Sequence, residues 1–206
     1  MANLTEARTI AESIVREMTP FAERVIIAGS IRRGKSSVKD IEIVAVPKWD
    51  TLKVQTGDLF EPEREEPRNL LWRWALAQTE IFWIKPGTNE IIGWLPKTDG
   101  RYWHGIIYPV VGSSESIKLD LFLCKPENWG VISTIRTGPA DFSQALVSFI
   151  KFRTPYRVKD GNLMVEETEE IIPCAEEEDF FRNAGLTFVP LAAREAVNPY
   201  SVLKSI

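Results

Sequence analysis

Hydrophobic and polar positions follow two different periods along this chain, and the periods mark out its elements. Ile10, Ala11, Ile14, Val15 and Met18 recur at helical spacing behind Thr5, a candidate N-cap, and Pro20 ends the run. Residues 24–28 read as a short buried strand, Gly29-Ser30 as a turn, and residues 40–46 as a second strand rich in β-branched side chains. Residues 47–67, with their Pro- and Glu-rich run, read as a loop, and residues 69–78 as a helix carrying apolar and aromatic groups. Residues 80–84 and 90–95 read as a hairpin, because Pro86-Gly87-Thr88-Asn89 between them has strong turn chemistry. Residues 117–124 form the next apolar strand. Helix starts follow at Pro126 and Pro139, and Pro155 closes the second of these helices. A hairpin around Asp160-Gly161-Asn162 and a helix over residues 176–183 complete the pattern, with no internal repeat.

At 206 residues and 44% hydrophobic, the chain can bury one ordinary core, or a main domain with a smaller lobe. No window approaches the roughly 18 to 20 apolar residues that span a bilayer, and the first ten residues lack the pattern of a secretory signal. A cytoplasmic protein without a membrane partner is expected. Cys124 and Cys174 read as two inert thiols, being too few and too far apart for a disulfide framework. His104 is the only histidine, which excludes multi-histidine metal clusters; with no nucleophile motif beside it, it reads as structural.

The net charge of −4 argues against a surface coated in basic residues, yet it hides a gradient. Residues 1–48 hold 8 Lys/Arg against 6 Asp/Glu, whereas residues 156–206 hold 5 against 10. Contacts to polyphosphate or nucleic acid therefore belong to the first two thirds. The acidic run from Glu176 to Asp179 reads as a solvated helix start, where negative charge suits the helix dipole.

Candidate chemistry sits on the strand at 40–46. Side chains alternate along a strand, so Asp40 and Glu42 share one face and Ile41 and Ile43 the other. Two adjacent carboxylates repel unless a cation lies between them or one is protonated. Asp120, on an otherwise apolar strand, is a third acid that is costly to leave unpaired. If the two strands are neighbours, the three converge on hard divalent ions, for which Mg²⁺ is the natural occupant. Upstream, Gly29-Ser30-Ile31-Arg32-Arg33-Gly34-Lys35 is a candidate anion site: glycine permits close backbone approach, and the Ser30 hydroxyl and Arg33 guanidinium suit phosphate oxygens.

Residues 29–44, GSIRRGKSSVKDIEIV, resemble the GS-x-RRG signature and metal-binding acids of the X family of DNA polymerases, with matching spacing from Gly29 to Asp40. Residues 118–146 resemble the family's third catalytic aspartate, its following helix and its nucleotide-binding turn; residues 156–195 resemble its thumb lobe. The resemblance implies an α+β, two-layer α/β fold: a nucleotidyltransferase palm with a mixed sheet over residues 1–135 and a small thumb-like lobe over residues 136–206. It implies Asp40, Glu42 and Asp120 as catalytic and metal-binding carboxylates for two Mg²⁺ ions, with Mn²⁺ as a substitute. Gly29, Ser30, Arg33, Arg136, Thr137 and Gly138 are implied to bind nucleotide.

On this resemblance a monomeric DNA nucleotidyltransferase is expected, one that fills short gaps or extends ends from a nucleoside triphosphate and a DNA primer end or gapped DNA. Glu42 stands where the polymerases usually carry aspartate, and drug-modifying nucleotidyltransferases share this D-x-E form. Ile135 and Arg136 replace the aromatic pair before Thr137-Gly138. Lyase activity is not expected, since one helix precedes the palm. Transfer to a small molecule, protein or RNA, and an inactive nucleotide-binding module, remain alternatives. The tryptophans between residues 49 and 105 (Trp72, Trp74, Trp83, Trp94 and Trp103) read as core, with base stacking conceivable at Trp103.

Overall fold

The computed structural model of the chain describes residues 2–54, 64–85, 91, 100–107, 116–196 and 198–205. A two-residue strand, β1 (Ala2–Asn3), leads into helix α1 (Leu4–Met18). Asn3 rather than Thr5 is the N-cap: its side chain accepts from the Glu6 amide at 2.9 Å and satisfies one of the helix's orphan donors. Strand β2 (Ala22–Ile27) then gives way to α2 (Gly29–Arg32), so the Gly29-Ser30 turn opens a single helical turn. Strand β3 (Ser37–Val38) pairs with β1, and β4 (Asp40–Pro47) is the long central strand.

The loop expected over residues 47–67 is instead largely a hairpin of β5 (Trp49–Val54) and β6 (Arg64–Asn69). Its cross-strand partners include Asp50 with Arg68 and Lys53 with Glu65. Asp50 and Arg68, of opposite charge and directly across from one another in the register, suit an antiparallel strand pair. Asn69 caps helix α3 (Leu70–Ala77), accepting from the Leu71 amide at 2.9 Å. Strand β7 (Ile81–Ile84) follows, but the partner strand expected over residues 90–95 lies outside the described residues except for Ile91, which bridges Ile84.

Two further strands complete the main sheet, β8 (Tyr102–Ile107) and β9 (Ile117–Leu123). Its order is β2-β4-β9-β8-β7, with β4 and β9 parallel and every other pair antiparallel. The fold is thus α+β around an open mixed sheet. Strand alternation divides the sheet into two faces. Ile41, Ile43, Leu119 and Leu121, all fully buried, pack on one face with Ala7, Ala11 and Met18 of α1 and Leu71 and Trp74 of α3. On the other face Val44, Val46 and Phe122 pack under Trp129. Asp40, Glu42 and Asp120 share that second face, at the end Trp129 leaves open.

Trp129 begins α4 (Trp129–Thr137), which is followed by α5 (Ala140–Arg153), the hairpin β10 (Tyr156–Lys159) and β11 (Asn162–Val165), β12 (Ile171–Ile172) and α6 (Glu177–Asn183). These build a second core around Val131, Phe142, Leu146, Ile150, Leu163, Phe180 and Phe181. Gly130 lets α4 close on the segment before α6: a Cβ there would stand 1.9 Å from the Glu176 carbonyl oxygen. Its amide instead donates to the Cys174 carbonyl at 2.8 Å. Among the described residues no helix is long and apolar enough to cross a membrane.

Candidate active site

The parallel register of β4 and β9 sets Glu42 beside Asp120 and Asp40 beside Lys118. Glu42 folds back over the chain reversal at Gly29, whose φ of +59° is left-handed and whose missing Cβ would stand 1.9 Å from Glu42 Oε2. A glycine there is a steric necessity of the carboxylate's position. Burial raises the Glu42 pKa to about 7, with Asp40 and Asp120 adding repulsion and Arg136 and Arg33 opposing it. Asp40 is also raised, first by burial and then by Asp120, against the pull of Lys118 and Lys39.

Asp120 is held from the neighbouring strand. His104 lies directly opposite it across the β8–β9 pair, and its Nδ1 shares a short hydrogen bond with Asp120 Oδ1. The Tyr102 hydroxyl donates to the same oxygen at 2.6 Å. Burial, then this bond, push the Tyr102 pKa upward. Tyr102 in turn stacks on Phe122, ring centroids 5.1 Å apart, and the Arg136 guanidinium covers the Phe122 ring at 3.9 Å. His104, read from sequence as a structural residue, therefore touches the candidate carboxylate. The alternation Tyr102, His104, Ile106 against buried Trp103, Gly105, Ile107 was the signal that a strand runs here.

A cavity of about 710 Å³ opens beside Asp40 and Glu42, with Ser30, Arg33, Lys35 and Arg136 in its wall. Gly138 lines it too, whereas Gly29, Thr137 and Asp120 do not. The Ser30 hydroxyl oxygen is buried with no hydrogen-bond partner among the described residues. Arg33 donates Nε to Glu195 Oε1 at 2.7 Å, and its Nη1 to the carbonyls of Thr137 and, at 3.4 Å, Gly138. Thr137 is fully buried and accepts from Arg32 Nη1 at 2.7 Å, which makes its hydroxyl a tie between α4 and α2.

Among the described residues no group of three or more His, Cys, Asp or Glu side chains is gathered as a ready metal cage. The donor set itself suits a hard divalent ion: carboxylate oxygens share one face, and Asp40 and Glu42 are raised in pKa by burial first and by neighbouring acids second, a repulsion that a cation relieves.

The remaining expectations resolve by burial. Trp74, Trp83 and Trp103 are buried and meet edge to face, with Trp83 and Trp103 centroids 6.0 Å apart, so Trp103 is core and presents no stacking face. Trp94 lies outside the described residues. Cys124 and Cys174 are free and buried, and burial lifts their thiols to about 12 and about 11. The acidic run is not uniformly solvated. Glu177 is buried between Arg194, at 2.6 Å, and Arg32; burial alone would raise its pKa, but the two guanidiniums outweigh it and lower it.

No family model matches this chain, and no curated protein sequence matches it.

Proposed function

We propose that the chain is a nucleotidyltransferase, acting as a cytoplasmic monomer on a nucleoside triphosphate and a DNA 3′-hydroxyl at short gaps or ends, in the manner of the X family of DNA polymerases. One observation supports this above the others: Asp40 and Glu42 share a sheet face with Asp120 and stand in the wall of a cavity that also carries Ser30, Arg33 and Arg136. Acids that bind divalent ions beside a cationic pocket are what phosphoryl transfer requires, because its catalysis is mainly positioning and charge stabilisation. Two Mg²⁺ ions, with Mn²⁺ as a substitute, would be held by Asp40, Glu42 and Asp120 and would neutralise phosphate charge and acidify the attacking hydroxyl.

The chain's own residues do the rest. The unpartnered Ser30 hydroxyl donates to a phosphate oxygen, and Arg33 supplies charge where pyrophosphate departs. Arg136, held over the Phe122 ring, brings a second guanidinium to the cavity. Gly138, at the end of α4, leaves room for the sugar.

The test is incubation with Mg²⁺ or Mn²⁺, each labelled nucleotide, and gapped, primer-template, single-stranded and RNA acceptors. Wild type transfers nucleotide, and Asp40→Ala and Asp120→Ala abolish transfer while melting as cooperatively as wild type. Near-native turnover in Asp120→Ala would remove the three-carboxylate site. Glu42, in place of aspartate, favours a second reading in which the acceptor is a small molecule, protein or RNA. Transfer to none of the DNA ends selects it, and nucleotide binding without turnover on any acceptor marks an inactive module.

A further inference from the structure

Arg33 is not waiting open for a ligand. It is already paired with an anion, and the anion belongs to the chain. Glu195 accepts from Arg33 Nε through Oε1 at 2.7 Å and from Lys35 Nζ through Oε2 at 2.6 Å. One carboxylate thus bridges two cations that both stand in the cavity wall. Arg33 and Glu195 are 162 positions apart in sequence, so the contact is made by folding the C-terminal segment back onto the turn that carries Arg33 and Lys35. Glu195 keeps a third of its side chain exposed, in contrast to Arg194 beside it, which is fully buried against Glu177. Arg194 anchors the segment, and Glu195 is the part of it that can let go.

A carboxylate and a phosphate ask the same of an arginine and a lysine: two oxygens, one negative charge or more, and a fork of N–H donors. A phosphate carries more charge and more acceptor oxygens than Glu195, and Ser30, whose buried hydroxyl has no partner among the described residues, lines the same cavity. We propose that Arg33 and Lys35 form the seat for the terminal phosphate of a polyphosphate, and that Glu195 occupies this seat as a tethered competitor until the ligand displaces it. This rests on the nucleotidyltransferase reading only for the identity of the ligand. Lys35 is thereby assigned a phosphate contact. The displaced carboxylate moves outward, and arrival of the ligand at the cavity is linked to release of Glu195 from Arg33 and Lys35.

A seat open only part of the time binds with an affinity reduced by that fraction. Titrating metal-free protein with tripolyphosphate by calorimetry reads the effect. Glu195→Gln keeps the shape but weakens the charge pairing, and binds about three- to tenfold tighter than wild type. Lys35→Ala binds weaker than wild type. Glu178→Gln removes the same charge from an exposed position on α6, and binds as wild type does. If it tightened binding as much as Glu195→Gln, the effect would be net charge, and the competitor would be refuted. Loss of binding in Arg33→Ala with no gain in Glu195→Gln overturns the competitor and leaves the phosphate site standing. Unchanged binding in both overturns the phosphate site and the competitor with it. Hydrogen exchange on the wild-type protein gives the second readout: amides of residues 195–196 exchange faster with tripolyphosphate present, and slower or unchanged exchange refutes the release.

Discussion

Replacing Glu42 by Gln tests the electrostatics of the site while keeping its shape. In the metal-free fold Glu42 titrates at about 7 against an ordinary 4.5, because of burial first and the charges of Asp40 and Asp120 second. A carboxyl whose pKa is raised on folding holds its proton more tightly in the native state. Its contribution is therefore fully present below pH 4.5 and is lost as pH rises through about 7. At about 1.4 kcal/mol per tenfold change in proton affinity the loss approaches about 3 kcal/mol by pH 8, and water at the cavity mouth screens it to about 2. In a domain of this size that is about 4–8 °C in Tm. Glu42→Gln has no charge to bury, so with chelator present it melts about 4–8 °C above wild type at pH 8, and the two curves converge toward pH 5. Adding Mg²⁺ at pH 8 raises the wild-type Tm and leaves Glu42→Gln nearly unmoved. Melting curves from pH 5 to 8, with chelator and with Mg²⁺, decide the matter. A wild-type Tm independent of pH across that range, or a Glu42→Gln protein less stable than wild type at pH 8, would refute the reasoning.

Gly29→Ala places a side chain in a left-handed conformation and against Glu42 Oε2; a loss of about 2 kcal/mol or more is expected in urea unfolding, and an unchanged midpoint would contradict the close approach. Arg194→Met leaves the buried Glu177 with Arg32 alone. A loss of about 3 kcal/mol is expected by the same measurement, with near-neutrality showing that Arg32 suffices. His104→Leu, which removes a partner of Asp120, should weaken calorimetric Mn²⁺ binding about tenfold, whereas His104→Asn, which keeps an N–H, should recover part of it. Equal binding in both variants would make His104 a packing residue.

What the sequence carried, it carried through period and spacing. Asp40 and Glu42 lie on one face because a strand alternates, and that needs no tertiary knowledge. Asp120 could be placed beside them only on the condition that β9 neighbours β4, a fact of sheet order that local pattern does not contain. The β5–β6 hairpin was illegible for a related reason. Its register sets Asp50 opposite Arg68 and Lys53 opposite Glu65, and charged residues read singly look like loop. Tyr102 and His104 were hidden by rarity, since a lone histidine carries no motif, though the alternation around it was visible. Glu177 looked like a solvated acid because its partners, Arg32 and Arg194, come from distant segments.

The four residues of α2 show how narrowly the site depends on register. Ser30 and Arg33 are three apart, so one helical turn sends both toward the cavity. Ile31 between them is driven into the main core and is 1% exposed. Arg32, rotated about 100° from Arg33, reaches Thr137 and Glu177 and ties the first core to the second. Two adjacent arginines of identical chemistry thus do unlike work, one structural and one at the cavity, and only their angular position separates them. Interchanging the roles would require Ile31 to leave the core, at about 2–5 kcal/mol for an aliphatic side chain lost from such a position. The packing of one isoleucine therefore fixes which arginine is available to an anion. The same turn sets Gly29 where Glu42 folds over it, so core, carboxylate and cation are placed together by a single reversal of the chain.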